Sequence, residues 1–169
     1  MVRVDAVLDS WKTVREDTAS AVEEFPASDF DFKPVSDVMT FRELATHVLQ
    51  AGHALTGLLL DGVENMAVPE FRSMLTPYFK QLPPHETPAD LASALRSAAD
   101  SRCAELARQP SDFYAGMITR FDGQRVTRLE MLQMVKEHEL THRSQMFMYL
   151  RLKGLVPATT RRRQSKAKA

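Results

Sequence analysis

Apolar positions recur at helical spacing in four long stretches, and no segment alternates convincingly as a strand. The stripe Val4, Val7, Leu8, Trp11, Val14, Thr18, Val22 and Phe25 predicts a first helix from about Val4 to Glu24. A second begins at Thr40, where Thr40-x-x-Glu43 forms a capping box: hydroxyl and carboxylate satisfy free N–H groups at the helix start. Met39 and Leu44 stand where a hydrophobic staple belongs. Thr87-Pro88-Ala89-Asp90 opens a third helix, with proline at its first position. The fourth repeats the box as Thr127-x-x-Glu130, with Val126 and Met131 as staple, and stops near Gly154 with Pro157 just beyond.

These elements predict an all-α four-helix bundle with a long crossover connection after the second helix. The stretch Asp61 to Glu86 holds four prolines and is too long for a simple antiparallel turn. Within it Phe71, Met74, Leu75 and Tyr78 have the spacing of a short helix, either a lid over a site or plain packing of the crossover. At 169 residues the chain fits one domain able to bury a core without disulfides. The expected division is a bundle over 1–157 and a basic, solvated, disordered tail over 158–169.

Charge changes this picture only at the C-terminal end. Residues 120–169 hold 12 of the 22 Lys and Arg but 4 of the 22 Asp and Glu, and Arg161, Arg162, Arg163, Lys166 and Lys168 concentrate the excess. Contact with nucleic acid is therefore expected only through this tail. The lone Cys103 excludes a disulfide framework and a Cys-based zinc site within one chain. No apolar leader and no membrane-length apolar run is visible, so a cytoplasmic protein without membrane association is expected.

The sharpest local signal is His138-Glu139-Leu140-Thr141-His142. Histidines at i and i+4 lie about 40° apart on one helical face, so both imidazoles reach one ion. The pattern matches HExxH, in which the glutamate is the general base of a zinc protease. It fails on the third ligand, because no Asp or Glu follows Glu139 and Gln145 and Met148 stand where the longer motif needs Gly and His. The third ligand then comes from another helix. Met131, Val135, His138, His142, Gln145, Tyr149 and Leu152 share one stripe, and His47 shares a face with Leu44, Ala51, Ala54 and Leu58. His53 falls instead among Arg42, Thr46 and Gln50 on the polar side, and His85 lies in the proline-rich connection. A divalent ion on His47, His138 and His142 relieves the cost of burying three unpartnered imidazoles. The competing reading is a buried hydrogen-bond cluster with Gln145 and Tyr149.

Phe41-Arg42-Glu43-Leu44-Ala45-Thr46-His47, His138-Glu139-Leu140-Thr141-His142-Arg143-Ser144-Gln145 and the closing Tyr149-Leu150-Arg151-Leu152-Lys153-Gly154-Leu155-Val156-Pro157 resemble the DinB/YfiT-like bundles, over nearly the whole chain apart from the tail. The resemblance implies a four-helix bundle, often dimeric, with a metal on His47, His138 and His142. Some relatives in that family are transferases or isomerases using low-molecular-weight thiols. The expected activity is that of a metal-dependent enzyme in which one zinc, nickel or ferrous ion activates a small thiol or water toward a small-molecule substrate. Glu139 is the candidate proton acceptor, although a solvated helix face explains it equally well, and Gln145 the candidate orienting residue. The alternatives are a non-catalytic bundle or dimer stabilised by its metal, and a stress protein touching nucleic acid through the tail.

Overall fold

The computed structural model describes residues 3–167. Four long helices form the body: α1 (Val4–Glu23), α2 (Phe41–Leu60), α4 (Pro88–Ala107) and α6 (Arg128–Leu152), with α3 (Phe71–Phe79) inside the crossover. The expected starts hold. Thr40 and Thr127 each complete a reciprocal capping box with Glu43 and Glu130, and Thr87 accepts from the Asp90 N–H ahead of Pro88. The α2 and α6 stops share one geometry. Gly62 (φ +74°) and Gly154 (φ +75°) take the left-handed conformation, and the next residue's N–H reaches back to Leu58 O and Leu150 O respectively. Met39, one of the expected staples, is 37% exposed.

α1 packs against α4 and α6, and α2 packs against the same two, so α1 and α2 occupy one diagonal of the bundle and α4 and α6 the other. The core falls into two clusters. One joins the start of α1 to the ends of α2 and α4 and the start of α6; the other joins the opposite ends. Hence α1 and α6 run one way, and α2 and α4 the other. Two neighbours that run parallel cannot be joined by a tight turn, because the chain must travel back along roughly 30 Å of helix. This is the reason for the long crossover over 61–87. Among the described residues no helix is long and apolar enough to cross a membrane.

Two expectations are corrected. A small antiparallel ribbon, β1 (Met117–Thr119) and β2 (Arg125–Thr127), follows a short α5 (Ser111–Ala115) between α4 and α6. Its strands are three residues long, too short for alternation to register in a sequence pattern. Residues 158–166, expected to be disordered, form α7 (Ala158–Lys166) against α1. There Arg161 Nη1 donates to Glu24 Oε2 at 3.0 Å and Arg162 pairs with Asp17, so α1 carboxylates engage two of the tail's cations. Lys168 and Ala169 lie outside the described residues.

Between the two apolar clusters lies a buried charge pair. Arg15 of α1 and Glu139 of α6 are each 2% exposed. Arg15 Nε and Nη2 donate to Glu139 Oε1 and Oε2 at 2.7 and 2.9 Å, Trp11 Nε1 donates to Oε2 at 2.7 Å, and Arg15 Nη1 donates to Leu95 O at 3.2 Å. On α2, Gly52 makes the room: a Cβ there would stand 2.6 Å from Arg15 Nη2. Removing one partner of such a pair leaves an uncompensated charge in the core. Glu139→Gln is expected to cost about 3–5 kcal/mol in urea unfolding, and the double change to Arg15→Met with Glu139→Leu clearly less. A loss below about 1 kcal/mol for the single variant would show that the pair does not hold the helices together.

Candidate metal centre

α2 and α6 are antiparallel neighbours, and half-way along their seam they bring His47, His138 and His142 together. His138 Nε2 is 3.2 Å from His47 Nε2 and 3.0 Å from His142 Nε2, and the three rings meet edge to face with centroids 4.4 to 5.0 Å apart. Gln145, one turn past His142, sets that ring: its Oε1 lies 2.7 Å from His142 Nδ1. An amide oxygen only accepts, so Nδ1 carries the hydrogen and Nε2 presents a lone pair to the cluster.

Hydrogen bonding alone does not satisfy this geometry. A neutral Nε2 has one hydrogen or one lone pair, so His138 Nε2 makes one full hydrogen bond and at best shares it with its second neighbour. Three nitrogens about 2.0–2.1 Å from one zinc ion at tetrahedral angles would stand roughly 3.4 Å apart. The two separations found here, 3.2 and 3.0 Å, are close to that spacing. The three-histidine group can therefore hold a metal ion, with nitrogen donors that suit zinc, nickel or ferrous iron alike. Burial, with His142 and His47 alongside, pushes His138 down to about 4, and burial likewise lowers His47, so both are neutral at pH 7 with lone pairs free.

Other expected residues lie elsewhere. Glu139 points about 100° away from His138 around the helix and spends both carboxylate oxygens on Arg15 and Trp11. The candidate proton acceptor is thus a core ion-pair partner with neither oxygen left to face the histidines. Tyr149 does not join the cluster; its hydroxyl donates to Met39 O at 2.9 Å. His53, expected on a solvated face, is half-buried between α2, α3 and α4, with Nε2 2.9 Å from Gln81 Oε1 and 3.2 Å from Arg102 Nη2. His85 stays in the crossover, beside a cleft of about 480 Å³ that opens between Arg42, Gln50 and Pro84.

An apolar cup that the sequence did not reveal adjoins the histidines. It measures about 180 Å³ and is bounded by His47 and His138, by Ala51, Leu55 and Met134 of the bundle, and by side chains of α3 and the ribbon turn. Phe71, Leu75 and Phe79 line it from α3, spaced four residues apart along one face of that helix. The crossover helix thus flanks the site, a position that the lid and the plain-packing readings share. Phe121 completes the rim from the turn between β1 and β2. That contribution was hidden because the turn is some 70 residues from α2 in the chain and lies in a ribbon too short to read.

Fold and cluster together define a class: a four-helix bundle whose facing helices converge three histidines able to hold a metal ion. The chain belongs to the DinB family, whose model matches residues 1–168. It is 23% identical over 157 residues to YjoA of Bacillus subtilis (strain 168), an uncharacterized protein, covering 91% of this chain and 93% of YjoA. The crystal structure of that DinB-like protein shares the fold with a TM-score of 0.68 at 21% identity, over 88% of this chain and 92% of that one.

Depressed histidine values carry a stability consequence. A group whose folded value lies below its unfolded value contributes stability above the unfolded value, and this is lost as pH falls through the folded one. For His138 the window runs from about 6.5 down to about 4. Metal-free protein is expected to lose thermal stability across that window, and His138→Gln to flatten the dependence there relative to wild type. Parallel melting curves for the two proteins that keep the same slope would refute the assignment.

Proposed function

We propose that this DinB family protein binds one divalent metal ion per chain through His47, His138 and His142, and that it is a metal-dependent enzyme acting on a small molecule by activating a thiol or water. The observation that carries this reading is the meeting of three Nε2 atoms at His138, which hydrogen bonds alone leave unsatisfied. A dication there would act as a Lewis acid, lowering the pKa of a coordinated water or thiol toward neutrality.

The chain's own residues do the rest. Gln145 holds His142 in the tautomer that offers Nε2. His47 and His138 are half-buried and neutral, which keeps protons from competing for their lone pairs. The three-residue donor set leaves room for an exogenous ligand. Peptide hydrolysis of the HExxH kind is not part of the proposal, since the glutamate that such a reaction needs as base is bound to Arg15. The open apolar cup beside the histidines favours a catalytic site over a metal that only stabilises the bundle, whose coordination shell would be closed by protein ligands.

Elemental analysis of untagged protein is expected to return about one zinc, nickel or iron per chain. His47→Ala should lower affinity in calorimetric titration by orders of magnitude. His53→Ala should leave it unchanged while costing about 1 kcal/mol of stability, through the lost hydrogen bond to Gln81. Protein that stays metal-free after incubation with all three ions would overturn the proposal.

A further inference from the structure

We infer that the substrate, or the thiol that accompanies it, carries one compact apolar group, a single aromatic ring or a branched alkyl chain, which seats in the cup under α3 while its polar end meets the histidines. The inference rests on the metal-site reading of the same residues and adds to it the class of molecule.

Size is the first support. A dry apolar cavity of about 150 Å³ takes one benzene ring, and this cup measures about 180 Å³. Chemistry is the second. Of the residues that bound the cup, only His47 and His138 bear polar side-chain atoms, so a charge or a sugar placed there would lose its hydration without a partner. The third support is unspent apolar surface. Phe71, Leu75 and Phe79 are each partly exposed on the cup side of α3, although Tyr78 of the same helix is 8% exposed and turned into the core. Phe121 is 44% exposed at the ribbon turn and stacks on Phe71 at 5.2 Å and 26°. A ring slid beneath that pair covers surface that the free protein leaves in water, at a site continuous with the proposed metal position.

The test uses the full chain loaded with cobalt(II), whose thiolate absorption reports binding of two probes, phenylmethanethiol and 2-mercaptoethanol. The aromatic thiol is expected to bind at least about tenfold more tightly, the gain from burying one ring. Leu75→Asn and Phe121→Ser, at partly exposed positions outside the ligand set, should reduce that ratio below about threefold with cobalt affinity and mercaptoethanol binding unchanged. A second measurement needs no metal: saturation-transfer NMR of benzyl alcohol on the metal-free chain should detect binding that both variants weaken. Equal affinity of the two thiols on the cobalt form, or a ratio that neither variant alters, overturns the inference. A chain that takes up no cobalt overturns the metal reading instead. In that case benzyl alcohol decides the cup by itself: binding that is sensitive to Leu75 and Phe121 keeps it, and no binding ends it.

Discussion

The buried pair of Arg15 and Glu139 is the constraint on which the rest of the molecule depends. Neither charge can leave the other, because an isolated guanidinium or carboxylate in an apolar core costs several kcal/mol. The pair therefore fixes how far α6 is rotated against α1. Because successive residues turn by about 100°, aiming Glu139 at α1 aims His138 and His142 away from it, toward α2. The same guanidinium reaches Leu95 O on α4 and requires Gly52 on α2, so one side chain gauges the position of three other helices. His47 lies on α2 little more than one turn before that glycine. Its meeting with His138 thus follows from the packing around Arg15 as much as from its own place on a stripe.

Much of this was legible from residues alone, and the failures have specific physical causes. Capping boxes at Thr40 and Thr127, the proline at 88 and the glycine at 154 obey local backbone rules, so these helix ends were accessible, whereas the matching stop at Gly62 went unread. The three histidines were accessible because helical phase is a local property. Glu139 was misread because HExxH supplies a ready role for a glutamate between two ligands. Arg15 held the counter-signal: it stands between Trp11 and Thr18, close to the buried stripe of α1, and an arginine there demands a carboxylate from another helix. His53 was misplaced for a related reason. A wheel drawn on one helix does not show that α3 will lie across its polar side and bring Gln81 to it. The tail was read from its positive charge, but α1 offers Asp17 and Glu24 at its end, and pairing with them accompanies the folding of 158–166 into a helix.

Candidate ligands and cup come from different kinds of element. The three histidines stand on the long helices α2 and α6, whose backbones are braced along their length by two apolar clusters. The outer walls of the cup come from connections: α3 within the 61–87 crossover and the turn joining β1 to β2. Rigid helices suit donors that must meet within a few tenths of an ångström, while connections can change length and side chains without disturbing the core. The long crossover, forced by parallel α2 and α4, is therefore more than a link. It is the segment that gives the site an apolar side.

Electrostatics sets what such a site would favour. Of the two carboxylates that flank His138 in sequence, Glu137 is exposed and Glu139 is paired with Arg15, and the ligand atoms that the cluster offers are imidazole nitrogens. A dication held by them would keep its full positive charge, in contrast to sites where one or two carboxylates neutralise it. The ligand completing the shell would then gain most by being an anion, and a thiolate or hydroxide would be preferred over a neutral thioether or carbonyl. The apolar cup strengthens that preference, because a low-dielectric wall raises the attraction between opposite charges beside it. By holding the glutamate of the HELTH segment away from the histidines, Arg15 would leave the anionic position on a bound metal to a molecule from outside.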